Sequence, residues 1–195
     1  MNYSEDFATV DLILKSSLET RGVDAFALSL IKSEKQIRRI FTFLIFQHNS
    51  YTIEDYTNLR QTLANNNRVY FNGFLKGINL ILPKTLKEIY GSDYDKDVSY
   101  LSEFTKDRNK IFHGQITANG LSREDLIKRI NHIKKWSKTL GTKLKSEIGY
   151  DGFSDSFQKS SLDITLNHLD KFDTIENYNL FIKRELQKIT QHIIE

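Results

Sequence analysis

One short stretch of the sequence, RNKIFHG, brings together side chains that could act on a phosphodiester: Arg108, Asn109 and His113. Histidine can take a proton from a 2′-hydroxyl near neutral pH, because its ordinary pKa lies close to that range. Arginine offers a fixed fork of donors that matches phosphate oxygens. These residue types are consistent with cleavage of RNA without a metal, which would give a 2′,3′-cyclic phosphate and a 5′-hydroxyl. DNA lacks the 2′-hydroxyl and would not be cut.

The spacing between Arg108 and His113 is a weak signal by itself. In a chain with this many arginines and histidines, an Arg followed by a His five to seven places later is expected about 0.7 times by chance. Asn109 after the arginine and Gly114 after the histidine lower that expectation to roughly a few in a thousand. The whole string is therefore a moderately specific signal.

Helical geometry limits how these side chains can meet. Asn109 and His113 are four apart and share a face, whereas Arg108 and His113 lie about 140° apart around a regular helix. A single regular helix therefore does not place Arg108 beside His113. Either the helix distorts before Gly114, or Arg108 reaches around it, or a second protomer supplies the partner.

The elements that must position this stretch are predicted to be helices, because apolar residues recur at helical spacing along most of the chain. Thr52 and Ser122 predict helix N-caps, and Pro83, Gly91 and Gly114 predict helix ends. We expect helices over residues 23–47, 52–65, 70–82, 97–113, 122–147 and 174–194, a short turn to 90, a loop over 149–161, and an ambiguous stretch, helix or strand, over 162–172. Gly141 inside the helix over 122–147 lowers the helical propensity of its last turns.

This pattern predicts an all-α protein with three segments. Residues 1–22 form an N-terminal extension, residues 23–148 a helical bundle, and residues 149–195 a loop with a C-terminal helical appendage. A single proline in 195 residues agrees with long helices.

Basic residues concentrate on one face of the helix predicted over 122–147, and such a stripe attracts phosphate backbones. An equally ordinary reading is a solvated helix face. With the lysine inside the RNKIFH stretch, the candidate RNA-binding residues are Lys110, Arg123, Lys128, Arg129, Lys134 and Lys135.

An Arg-Asn-x3-His string near a helix end, after a bundle of apolar helices, resembles the HEPN superfamily. The resemblance covers roughly residues 23–147 and rests on that motif, the long first helix and the basic helix after the motif. It implies a HEPN-like bundle and a metal-independent endoribonuclease of toxin–antitoxin or antiphage-defence type, with Arg108 and His113 as the catalytic pair and Asn109 in support. It also implies a homodimer with a composite active site, and a cognate antitoxin or inhibitor.

The same residues also have structural explanations. His113 could interact with the free carbonyls of the last helical turn, and Arg108 could pair with Glu103 or Asp107 on the surface. The remaining histidines are isolated, suggest no metal site and receive no role: His48, His132, His168 and His192.

Composition excludes several classes of chemistry. Without cysteine there are no disulfides, zinc-thiolate sites, iron–sulfur clusters or cysteine nucleophiles, which fits a reducing cytosol. The polar N-terminus does not resemble a signal peptide, and no apolar run is long enough to cross a membrane. We therefore expect a cytoplasmic protein without metal or cofactor. The alternatives to the ribonuclease are a HEPN-like module that binds RNA, a nucleotide or another copy without cutting, and an antitoxin-type protein, which the basic helix disfavours.

Overall fold

A computed structural model describes residues 2–115, 117 and 120–187 of the chain. Every regular element in these ranges is a helix, which confirms the predicted all-α class. None of these helices combines the length and the apolar character needed to cross a bilayer. The helices are α1 Tyr3–Lys15, α2 Arg21–Phe46, α3 Tyr56–Asn65, α4 Phe71–Ile81, α5 Leu86–Tyr90, α6 Tyr94–Phe112, α7 Arg123–Ile148 and α8 Ile175–Phe181.

Short helical turns of other types complete the fold. Two 3₁₀ turns span Ile53–Asp55 and Leu169–Lys171, and a π-helical stretch over Ile182–Leu186 continues α8. The remainder of residues 162–172, which the sequence left open between helix and strand, is neither. The C-terminal helix begins as expected after Thr174, and the part of it predicted beyond residue 187 lies outside the described residues.

Helix α2 is the centre of the bundle, with α1, α4 and α7 packed against it. Its C-terminal end, residues 40–46, is buried on every side, so no face of it meets solvent. Phe43 stacks on Tyr150 with ring centroids 4.3 Å apart, and Phe41 stacks on Phe181 at 6.4 Å. Segments distant in the sequence therefore meet on this one helix.

Local capping explains where the helices begin and end. Ser122 accepts a hydrogen bond from the N–H of Asp125, whose carboxylate accepts in return from the Ser122 N–H, and Thr52 forms the same box with Asp55. At the other end of α7, Gly149 adopts a left-handed φ of 77°. The predicted caps at Thr52 and Ser122 are confirmed.

Gly141 does not loosen α7, which continues to Ile148. A Cβ at this position would lie 3.1 Å from both the carbonyl of Asp151 and the amide nitrogen of Gln36. That amide donates hydrogen bonds of 2.9 Å to the carbonyls of Asp151 and Ser137. The glycine therefore permits a close approach that joins α2, α7 and the loop after α7.

The predicted N-terminal extension and C-terminal appendage share the core of the bundle. Phe7 of α1, and Phe153 and Phe172 of the segment after α7, are buried in the same hydrophobic cluster as Phe26 of α2. Tyr3 and Phe7 also contact the ring of Phe153 directly. The described residues therefore form one core that does not divide at residues 22 or 148.

We predict that Gly73→Ala lowers the free energy of unfolding by about 1–2 kcal/mol, because overpacking against a fixed group is destabilising. A Cβ at Gly73 would lie 2.8 Å from the carbonyl oxygen of Leu186, a backbone atom that cannot rotate away. Gly22→Ala is the control, because its Cβ would meet only side-chain atoms, the nearest at 3.5 Å. Urea unfolding of both variants measures the difference, and equal midpoints would contradict the close packing of α4 on the C-terminal stretch.

Candidate functional site

The side chain of Arg108 is bound by a residue of α2, and the sequence did not indicate that this helix supplies its partner. Its Nη1 donates to both carboxylate oxygens of Glu34, on α2, at 3.0 Å each. Its Nε and Nη2 donate to the side-chain oxygen of Asn109 at 3.3 and 3.1 Å. The Arg108 side chain is only 14% exposed, so this orientation is fixed by a largely desolvated ion pair.

His113 occupies the C-cap of α6, as the glycine after it predicted. The backbone N–H of His113 donates to the carbonyl of Asn109 at 3.1 Å, and Gly114 follows with a left-handed φ of 65°. The His113 side chain is exposed, and no hydrogen bond to it is formed by any part of the chain that the structure describes. Its imidazole is therefore open to a ligand from outside the chain.

The structure does not join Arg108 to His113 within one protomer. Helix α6 continues through Phe112, so it is not distorted before Gly114. Arg108 is directed to Glu34 and Asn109 and does not reach around the helix to the imidazole. Neither arrangement that joins them within one chain is present, and the arrangement with a second protomer stays a prediction.

The alternative in which Arg108 pairs with Glu103 or Asp107 is wrong. These carboxylates bind Arg129 of α7, with 3.0 Å from Nη2 to Glu103 and 2.6 Å from Nη1 to Asp107. The same guanidinium lies 4.6 Å from the centroid of the Phe104 ring. Arg129 therefore ties α6 to α7.

Two of the six candidate RNA-binding cations are paired inside the protein. Arg129 is held as described and is 12% exposed, and Lys134 lies 2.5 Å from the carboxylate of Asp11 on α1. The side chain of Lys128 is 79% exposed and lies 3.8 Å from Asp125, a distance that gives only a weak pair. Of the others, Arg123 and Lys135 are exposed and Lys110 is half-buried. The basic face of α7 is thus less positive than the sequence suggests.

Glu34 is the partner of Arg108 that the sequence did not indicate. It lies 74 positions from Arg108, so the motif spacing carries no information about it. The one available signal is its position as a lone carboxylate among Lys32, Lys35 and Arg38 on α2.

A second missed group is a polar cluster between α5, α6 and α7. Tyr90 donates a hydrogen bond to Asp97, and His132 Nε2 lies 3.1 Å from the other oxygen of that carboxylate. Burial, followed by the bond to Asp97, raises the pKa of Tyr90. The His132 ring also meets the rings of Tyr100 and Phe104 edge-on. His132, which received no role from the sequence, thus ties α7 to α6, and Tyr90 adds α5 through the same carboxylate.

The described residues contain no group of three His, Asp or Glu side chains arranged to hold a metal ion. Comparison of the chain with protein-family models, with curated proteins and with solved structures finds no match. The interpretation of the site therefore rests on its own residues.

We predict that Arg129→Ala lowers the free energy of unfolding by about 1–3 kcal/mol, because it leaves the largely buried Asp107 without a partner. Lys128→Ala removes a neighbouring cation of the same helix whose pair is exposed, and should change stability by less than about 0.5 kcal/mol. Chemical denaturation of the two variants provides the measurement. Equal free energies of unfolding for the two variants would show that the ion pairs of Arg129 do not stabilise the fold.

Proposed function

We propose that this chain is a metal-independent RNA endonuclease in which His113 acts as general base and Arg108 stabilises the phosphate. The observation that carries the proposal is the orientation of Arg108. Glu34 and Asn109 accept hydrogen bonds from its Nε, Nη1 and Nη2, and the guanidinium, which carries five N–H groups, has no further acceptor among the described residues. A donor held in a fixed direction suits a phosphate oxygen, because no reorientation is needed when charge develops.

The chemistry of the proposed reaction requires few groups. His113 takes the proton of the 2′-hydroxyl, the 2′-oxygen bonds to phosphorus, and the bond from phosphorus to the 5′-oxygen breaks. The 5′-oxygen leaves with a proton from water, and His113 returns its proton to solvent. The products are a 2′,3′-cyclic phosphate and a 5′-hydroxyl.

A composite site in a homodimer is part of the proposal, because Arg108 and His113 do not meet within one chain. In a two-fold dimer, Arg108 of each copy would face His113 of the other copy. Exposed apolar side chains flank both residues. Phe112, next to His113, is 60% exposed, and Ile31, one turn before Glu34 on α2, is 46% exposed. Apolar groups of this kind suit the centre of an interface.

Toxin or defence biology follows from the same proposal. If its substrate is an RNA that its own host needs, cleavage would arrest growth, and a cognate antitoxin or another inhibitor would then be required. The HEPN resemblance of the RNKIFHG stretch supports both expectations.

A second candidate function is a HEPN-like module that binds RNA or a nucleotide without cutting it. The observation that favours it is the pairing of Arg108 with Glu34, which balances the charge that a phosphate would otherwise meet. Binding without cleavage requires no imidazole beside the guanidinium.

We predict that the purified full-length protein cuts RNA in the presence of a chelator and leaves 2′,3′-cyclic phosphate and 5′-hydroxyl ends. His113→Asn should reduce the rate roughly 100-fold or more, because general base catalysis contributes that much. His168→Asn is the control, since His168 is exposed, has a left-handed φ of 56° that asparagine tolerates, and lies outside the site. End-group analysis of the products provides the measurement.

Loss of cleavage on adding the chelator would contradict the metal-independent mechanism. Binding of RNA without any cleavage, unaffected by His113→Asn, would favour the second candidate function.

We predict that Arg108→Ala and His113→Asn chains, each inactive alone, regain activity when mixed. Half of the dimers formed at random are mixed, and each has one of its two sites intact, so about a quarter of wild-type activity should return. Co-refolding of the two variants followed by an RNA cleavage assay tests this. A mixture no more active than either variant would exclude a site shared between the two chains.

A further inference from the structure

A cleft lies between α2, α3 and the loop after α7, and no residue of the RNKIFHG stretch lines it. Its volume is about 670 Å³, within the range of pockets that hold small ligands. Thr42 and Phe74 are among the buried residues that line it, and residues 155–157 contribute to one wall. No residue of the proposed catalytic site lines this cleft.

The lining of the cleft is strongly basic. Lys35, Arg38 and Arg39 of α2 and Arg60 of α3 contribute four cations, against the single carboxylate of Asp155. That carboxylate already accepts a hydrogen bond from the backbone N–H of Phe157. An anion entering the cleft would therefore meet a net positive field focused by the protein walls.

Three of these cations have no carboxylate partner in the part of the chain that the structure describes. Arg39 donates only to the carbonyl of Phe153 at 2.9 Å, and Arg60 only to the hydroxyl of Tyr56 at 2.8 Å. Arg38 is exposed and makes no side-chain hydrogen bond or ion pair with the described residues. Lys35 differs, because it lies 3.6 Å from the carboxylate of Asp6. Guanidinium groups left without an anion are well suited to phosphate.

Aromatic and amide groups stand beside these cations. Tyr56 lines the cleft and is half-buried. Its ring and that of Phe157 meet edge to face, with their centroids 4.4 Å apart. The guanidinium of Arg60 lies 5.9 Å from the centroid of the Tyr56 ring. A planar base can stack on such a ring or on the guanidinium plane. The exposed amide of Asn67, also in the lining, offers both a donor and an acceptor to a base edge.

We infer that this cleft binds a phosphorylated nucleoside, with Arg38 and Arg60 on the phosphate and Tyr56 against the base. A phosphate alone would account for the cations. The aromatic ring beside them suits a base, and we therefore assign a nucleoside as well. The ligand is either a free mononucleotide or one unit of an RNA strand, because both present the same chemistry. The inference goes beyond the proposed cleavage and does not rest on it, since it uses none of the residues of that site.

The test measures binding of ligands that the protein cannot cut. Calorimetry with AMP, and with ribose 5-phosphate as the baseless control, covers the free nucleotide. Fluorescence polarisation of a labelled 2′-O-methyl RNA decamer covers the strand. Because that decamer has no free 2′-hydroxyl, the result is independent of whether the chain is a nuclease.

The decisive variant is Arg38→Gln with Arg60→Gln, which removes two charges from the cleft. We expect it to weaken binding roughly tenfold or more and to reduce the salt dependence of RNA binding by about 0.7 per lost phosphate contact. Lys143→Gln with Lys145→Gln removes the same charge from exposed positions on α7, outside the cleft, and should weaken binding less than about threefold. If the first variant does not fold, Arg38→Gln alone decides, because Arg38 is exposed and unpaired within the described residues.

Loss of AMP binding in the cleft variant supports a free nucleotide, and loss confined to the RNA decamer supports a strand. Tyr56→Leu should weaken either ligand at least about fivefold through lost stacking. Ribose 5-phosphate binding as tightly as AMP, or RNA binding unchanged by Tyr56→Leu, would overturn the nucleoside assignment. Equal effects of the cleft and α7 variants, or no binding by the wild-type chain, would overturn the site itself.

Discussion

The fold depends on covering the C-terminal end of α2 on all sides. Residues 40–46 are apolar except for Thr42, and all of them are buried. A single neighbouring helix can cover only one side of such a segment, so several elements must converge on it. Helices α1, α4 and α7 pack on α2, while Tyr150 of the loop after α7 and Phe181 of α8 close the remaining sides. In the turns before this segment one side of α2 stays uncovered, and Glu34 and Arg38 lie there, neither of them buried.

The helices could be predicted from the sequence because their causes are local. Apolar periodicity, the capping boxes at Thr52 and Ser122, and the glycine after His113 each act within a few residues. The segment after α7 could not be predicted in the same way. Tyr150, Phe153 and Phe172 fill separate gaps on the bundle, and a chain that covers a surface residue by residue has no period to detect.

The candidate site likewise combines a part that depends on local sequence with a part that depends on distant residues. The position of His113 at an open helix end follows from its neighbours in the chain, whereas the partner of Arg108 lies on another helix, and no local pattern specifies it. The basic residues of α7 suggested an RNA-binding face for a related reason. A count of basic residues treats Arg129 and Arg38 alike, but ion pairs within the protein balance Arg129 and leave Arg38 without a partner among the described residues. The electric field around the protein depends on which cations remain unpaired.

Glu34 and Arg38 lie one turn apart on the same side of α2, separated by about 6 Å along its axis. Residues 40–46 of this helix cannot slide or rotate without opening the core. The position of Glu34 and that of Arg38 are therefore fixed together. Inserting or deleting one residue between them would rotate the rest of the helix by about 100° about its axis. Either the apolar residues would then turn away from the core or the cations would turn away from the cleft. Related chains that keep this architecture should therefore differ in α2 by substitutions, with insertions and deletions confined to the connecting loops.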